Sequence, residues 1–197
     1  ILDIDPADMA AVDALLALYR GADNMERLVE MLLFKAPLVS SEEERRDLYA
    51  EAGEISASQL EKPEAAIEIY EELHRLAPEQ DRALDALEEL YARVEDWDQL
   101  VAVFRQKIER APSLEERKVY AALMGGVQAD RQGSLDDAID TWRRVLEWDE
   151  TELRALDELD ELYQRQEDWF NLLDVLRKKQ ALVEEAAWAE CQFRIAK

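Results

Sequence analysis

The sequence is poor in the residues from which most catalytic and metal sites are built. It has one cysteine, Cys191, and one histidine, His74, among 197 residues. No internal disulfide can form, and a lone thiol fits a reducing compartment. A Cys/His metal cluster is excluded. A nucleophile–base pair would need His74 beside a serine or Cys191, yet Cys191 lies three hairpins further along. The bland reading therefore holds for both: His74 as a surface or groove residue, Cys191 as a small buried one. Glycine and proline number five each, too few for a loop-rich or all-β chain. Basic residues are also scarce, 24 Lys and Arg against 47 Asp and Glu, which leaves a formal charge of −23. Such a surface repels phosphate backbones and anionic membranes, so neither nucleic acid nor membrane is an expected partner. No apolar run approaches the ~20 residues of a membrane span. No signal peptide is recognisable, so the expected compartment is cytoplasmic. No catalytic function, cofactor or metal is expected. The acidic residues, such as Asp136 with Asp137 and Asp157 with Asp160 and Glu161, sit at solvent-facing helical spacing rather than in an alternating calcium loop.

What is abundant is helix-forming and repetitive. Apolar residues make up 48% of the chain, enough for a folded core. Ala, Leu, Glu and Arg, all strong helix formers, dominate. The stretch Ala83–Phe104, ALDALEELYARVEDWDQLVAVF, recurs at Ala155–Leu176 with 13 of 22 positions identical. A fainter copy occupies Ala11–Leu32. The step from Ala11 to Ala83 equals the step from Ala83 to Ala155, without insertion or deletion. A fixed long period in a helical pattern signals stacked repeats.

Taken in order, Ile1–Pro6 reads as the tail of a helix whose start is missing. Ala11–Arg20 follows, with Ala11, Ala14, Leu15, Leu18 and Tyr19 on one face. Met25–Ala36 pairs with it and ends at Pro37. Ser41 with Glu44, and Ser113 with Glu116 one period later, form capping boxes. Pro63 opens a helix at the position where a missing N–H costs nothing, and Ser134 with Asp137 takes that role one period on. The long period divides into two shorter units at Ala66, which lies between the matching positions Leu28 and Leu100. Each unit is about 34 residues, and alternate copies carry an extra charged, solvated turn (Glu43–Arg46, Glu115–Lys118). A last helix begins at Glu184, where Trp188, Cys191, Phe193 and Ile195 would need a covering partner.

These positions resemble the tetratricopeptide repeat. Leu84, Leu87 and Tyr91, repeated as Leu156, Leu159 and Tyr163, match the first helix of that family. Trp97 and Trp169 match its aromatic opening the second helix, Ala66 and Ala138 its small mid-helix residue, and Phe104, Tyr70 and Trp142 the aromatic one turn on. Pro6, Pro78 and Pro112 match its closing proline, Gly126 the glycine of its first helix and Gly133 the glycine between helices. Leu28, Leu100 and Leu172 depart from it by replacing the small residue. The resemblance implies an all-α, right-handed superhelical solenoid of about 11 helices. The whole of 1–197 would be one array with repeats at 9–42, 47–80, 81–114, 119–152 and 153–186. Partial repeats at 1–8 and 187–197 would flank them, as in a segment of a larger bacterial protein. Trp97, Trp142 and Trp169 are expected in hairpin packing, as are Trp148 and Trp188.

The resemblance also implies a groove lined by the first helix of each hairpin. Its expected partner-binding residues are Arg82, Asp85, Glu89, Arg93, Met124, Arg131, Arg154 and Arg165. The five positions of the clamp that grips acidic chaperone tails carry Asp85, Glu89, Met124, Arg154 and Glu158. Only Arg154 has suitable charge, so that clamp is absent. A column of arginines remains, Arg93, Arg131 and Arg165. They could hold carboxylates of a partner, or pair within their helices as Glu89–Arg93 and Glu161–Arg165. The function expected is a non-catalytic scaffold that binds a protein or peptide in the groove. The alternative is a structural spacer or a module that self-associates end to end.

Overall fold

The structure, a computed structural model, describes residues 8–195, with side chains described to residue 184. Among these residues are ten α-helices, one π-helical turn and no strand. The helices are α1 (Met9–Gly21), α2 (Met25–Lys35), α3 (Glu42–Ser58), α4 (Pro63–Leu76), α5 (Asp81–Arg93), α6 (Trp97–Arg110), α7 (Leu114–Val127), α8 (Leu135–Trp148), α9 (Leu153–Gln166) and α10 (Trp169–Ile195). The π-helical turn, Gln128–Gln132, follows α7 directly. The chain forms two compact units that divide between Asp96 and Trp97. Within each, every helix packs on the next in sequence. The readings for Ile1–Pro6 and for the side chains of Trp188, Cys191, Phe193 and Ile195 lie outside the described residues.

The helix starts follow from local chemistry. The hydroxyls of Ser41 and Ser113 accept the backbone N–H groups of Glu44 and Glu116, each at 3.2 Å. Each supplies a partner for an amide the helix itself leaves open. Ser134 departs from this expectation: its hydroxyl turns to the Asp137 carboxylate and caps no N–H.

The ends of three first helices share one device. The N–H groups of Asn24, Asp96 and Asp168 donate to the carbonyls of Tyr19, Tyr91 and Tyr163 at 3.0, 2.9 and 2.9 Å. The residue before each donor, Asp23, Glu95 or Glu167, has a positive φ of 54° to 59°. This is the left-handed turn that closes a helix with a six-residue backbone bond. It recurs once per long period because the turn length does. The helix α10 differs from expectation, running 27 residues through the point where a new helix was to begin. Glu184, Glu185, Ala186 and Ala187 are helix formers, and no glycine, proline or cap interrupts them.

The core is built from the positions that repeat. Val12, Leu84 and Leu156, each one long period from the next, are all fully buried. In α1 the buried face is Val12 with Leu16, whereas Ala14 and Leu18 are exposed. The buried stripe is thus rotated from the expected one toward the neighbouring position. Trp142 is buried and Trp97 half-buried, but Trp169 is 63% exposed. The Arg131 guanidinium lies 5.4 Å over the Trp97 ring, and no such cap lies over Trp169 among the described residues.

The extra charged turn does more than meet solvent. Arg45 donates to the carbonyls of Ala36 and Val39 at 3.2 and 2.8 Å, binding the start of α3 to the end of α2. Lys118 sits between Asp149 and Glu152 at 3.0 and 2.7 Å, joining α7 to the segment before α9. Glu115 completes its cage, and the three carboxylates raise the affinity of this amine for its proton.

Two glycines lie directly against an aromatic ring of the following helix. A Cβ on Gly53 would stand 2.7 Å from the Tyr70 ring, and one on Gly125 would stand 2.8 Å from Trp142 Nε1. Gly126, the glycine expected to matter, would meet nothing within 4 Å. Gly125→Ala is expected to cost about 1–3 kcal/mol through overpacking against a ring that cannot swing aside. Gly126→Ala is expected to gain up to about 1 kcal/mol from helix propensity. Urea melts of the two variants check this pair, and equal effects would disprove the assignment.

Candidate functional site

In the first unit a recess of about 320 Å³ opens between the end of α3, α4 and α5. Glu54, Ala57 and Ser58 form one wall, Ala86, Glu89, Leu90 and Arg93 the other, and Tyr70 the floor. Three expected groove residues meet here. Glu89 and Arg93 line the recess, and Arg82 reaches Glu54 at 4.0 Å. Burial lifts the Tyr70 phenol above its usual range, Arg82 opposes this, and Glu54 and Glu89 add to it. The floor thus lies among two carboxylates, Glu54 and Glu89, and two guanidiniums, Arg82 and Arg93. The neighbouring hairpin adds an ion pair between Arg20 of α1 and Glu51 of α3.

Arg93 does not pair with Glu89. Its guanidinium donates to the Ala57 carbonyl at 3.1 Å, near the last turn of α3. Arg165, one period later, donates to the Ala129 carbonyl at 3.1 Å and reaches Asp130 at 3.5 Å. A cation at a helix C-terminus satisfies open carbonyls and meets the negative end of the dipole. Both arginines bind the preceding first helix. Arg131 is occupied with Trp97. Neither the free column nor the intrahelical pairs are what these residues form.

The equivalent face of the second unit carries different chemistry on the same frame. Trp142 stands where Tyr70 stands, and Arg154 of α9 lies over its ring at 5.7 Å. Glu158 replaces Ala86, and Glu161 occupies the position of Glu89. Burial raises the Glu158 carboxyl above its usual range. Arg154 opposes the shift, while Glu161, Asp130 and Asp157 add to it. Met124 is not on this face. It is buried and lines a separate cavity between α6, α7 and α8.

Asp85 occupies the repeat position of Asp13 and Asp157. Those two pair with lysines of the following helix, Asp13 with Lys35 at 3.0 Å and Asp157 with Lys179 at 2.8 Å. Lys35, Lys107 and Lys179 are themselves spaced by the same long period. The sequence held this signal in two columns of matching period and opposite charge, and reading the aspartates alone as groove residues missed it.

Among the described residues no group of three or more His, Cys, Asp or Glu is placed to hold a metal ion, and no helix is long and apolar enough to cross a membrane. Successive α-helices of similar length, glycine–aromatic contacts and a constant long register define a helical-hairpin repeat protein. Residues 83–118 match the family model described as Tetratricopeptide repeat, and the described residues form an all-α succession of helical hairpins. No curated protein matches the sequence. Similar solved structures include that of MamA, at 13% identity over 90% of this chain and 93% of that one, with a TM-score of 0.49. YrrB, described as a TPR protein with an unusual peptide-binding site, is 18% identical over 98% of this chain and 95% of that one, with a TM-score of 0.48. A putative kinesin light chain from Podosopora anserina, with nearly identical TPR-like repeats, is 15% identical over 92% and 97%, with a TM-score of 0.48.

Glu158 supplies a test of these electrostatics. A carboxyl whose folded-state pKa is raised contributes stability that is present below the unfolded value and lost as pH rises through the folded one. Glu158→Gln is therefore expected to melt above the parent at pH 7. The advantage fades as pH falls through the raised folded value and is gone below the ordinary glutamate value of 4.5. Thermal melts at pH 7 and pH 4 measure it, and a destabilised variant at pH 7 would contradict the burial described.

Proposed function

We propose that this chain is a non-catalytic scaffold that binds a protein or peptide along the first-helix faces. The observation that carries the reading is the recess of α3, α4 and α5, whose frame recurs in the second unit with altered lining. Tyr70, Ala86 and Glu89 of the first face become Trp142, Glu158 and Glu161 in the second. A frame held constant while the exposed lining changes is how a repeat scaffold reads different parts of one partner. The contacting groups in this reading are Glu54, Tyr70, Arg82 and Glu89, then Arg154, Glu158 and Glu161. Arg93 and Arg165 support them by fixing the ends of the preceding helices. The predominance of carboxylates selects a partner segment with basic residues.

Charge reversal at Arg93 or Arg165 would remove a helix cap along with any binding group. Glu89 and Glu161 are exposed and make the cleaner test. A photo-crosslinking residue at either position is expected to trap a partner from native lysate. The same residue at exposed Glu64 on α4 is expected to trap none. Trapping at Glu64 alone would overturn the assignment of the binding face.

A second reading, self-association, has one observation in its favour. Trp169 and Phe170 at the start of α10 are 63% and 83% exposed, and Leu173 is exposed one turn on. Light scattering across a range of concentrations tests it. Self-association requires a mass that rises with concentration and falls in Phe170→Ser; a constant monomer mass excludes it for this chain.

A further inference from the structure

The second unit holds a cavity of about 280 Å³ between α6, α7 and α8. It uses the α7 face that carries Ala121, Met124 and Gln128, not the face toward α9. It is therefore independent of the peptide-binding reading. Its base combines apolar atoms of Ile108 and Met124 with a buried polar pair. Gln128 is 2% and Thr141 6% exposed, and the Thr141 hydroxyl donates to the Gln128 side-chain oxygen at 2.7 Å. The Gln128 side-chain nitrogen has no hydrogen-bond partner among the described residues, which leaves a donor at the base. Gln128 is brought there at the first residue of the π-helical turn, a distortion often found where a helix presents a side chain to a ligand.

Two of the rim charges, Arg105 and Glu109, have no partner among the described residues. Arg105 of α6 makes no ion pair, hydrogen bond or ring contact among the described residues. Arg144 of α8 touches only the Trp148 ring, at 5.6 Å. Glu109, one turn beyond Arg105, also has no partner among them. The other two rim carboxylates are engaged, Asp137 by the Ser134 hydroxyl and Asp140 by Arg143 at 3.8 Å.

The chain contains its own reference for this site. One long period earlier, the positions of Arg105, Ala121, Gln128, Thr141 and Arg144 hold Leu33, Tyr49, Ser56, Ile69 and Glu72. Where the first copy has a tyrosine ring, the second has a methyl group, and where it has apolar or acidic residues, the second has arginines. Other lining positions enlarge, Ala36 to Ile108, Ala52 to Met124 and Leu76 to Trp148, so the exchanges redistribute volume and bring donors onto a shared backbone frame.

The geometry points to a binding site for a small zwitterionic carboxylate of amino-acid size, its carboxylate held by Arg105, Arg144 and the Gln128 amide and its ammonium by Glu109. Two arginines and an amide are donors only, and they match an acceptor-only group such as a carboxylate. Two arginines against three carboxylates leave the lining at −1, which disfavours a ligand that is anionic alone. The apolar base receives an aliphatic side chain, and a volume just under the usual range for drug-sized ligands suits a single amino acid.

The test titrates the whole chain with leucine, isovalerate and isoamylamine, using saturation-transfer NMR. Leucine is expected to bind, and removal of either charged group to weaken binding at least tenfold. Ala121→Tyr restores the residue of the first copy and is expected to abolish the leucine signal. Arg105→Gln changes only an exposed side chain and is expected to weaken it about tenfold, so the proposal stays testable if the tyrosine variant fails to fold. No leucine signal at millimolar concentration, equal binding of isovalerate, or undiminished binding to folded Ala121→Tyr would each overturn the assignment.

Discussion

The contact on which the molecule depends is an aromatic ring laid on a glycine backbone. Tyr70 of α4 presses on Gly53 of α3, and Trp142 of α8 presses on Gly125 of α7. Any side chain at either glycine would collide with the ring, so two helices approach more closely here than ordinary residues permit. The same rings are the floors of the two candidate faces: Tyr70 closes the recess between α3 and α5, and Trp142 lies under Arg154. Closing the hairpin and building the site are thus one event. A substitution that loosens the ring opens the core and displaces the groups arranged above it.

Charge plays a second structural part. A chain at −23 has few cations, and several are spent between helices. Lys35 and Lys179 each bridge two carboxylates, Arg45 collects two carbonyls, and Arg93 and Arg165 cap helix ends. An exposed ion pair contributes only about 0–1 kcal/mol. Placed at the joints between elements, each nonetheless fixes an orientation that apolar packing leaves free. Arg105, like Arg117 and Arg177, has no such partner among the described residues, and Arg144 touches only the Trp148 ring.

The fold was legible because its signals are periodic. Val12, Leu84 and Leu156 announce one buried stripe, Ser41 and Ser113 one cap, and no competing pattern interferes. What the sequence concealed depended on choices within a turn. Gly125 and Gly126 are adjacent, and only packing distinguishes the one under Trp142 from the one facing open space. Leu18 is as apolar as Leu16 but points to solvent, since the stripe in α1 follows Val12. Trp169 shares the repeat position of Trp97, yet among the described residues no guanidinium covers it as Arg131 covers Trp97. The candidate site was less legible. A long arginine at a helix end reaches a ligand, its own helix or the next one, and spacing alone does not choose among them.

The differences between copies are coupled, and this separates a built feature from drift. Replacing the buried Ile69 of the first copy by a threonine would by itself leave a hydroxyl in the core, at about 1–3 kcal/mol if unsatisfied. In the second copy Thr141 occupies that position, and Gln128, in place of Ser56, accepts its proton at 2.7 Å. Ser56 in the first copy needs no such partner, because its hydroxyl donates to the Ala52 carbonyl at 2.8 Å. Two positions on different helical segments therefore changed in a way that makes sense only together. The pair satisfies only one side of Gln128, while Ala121 clears the space that Tyr49 fills in the first copy. Random erosion of a core leaves voids lined by apolar stubs. A void with a hydrogen-bonded polar base, a spare amide donor and two arginines free of ion pairs at its mouth is instead organised around a polar occupant.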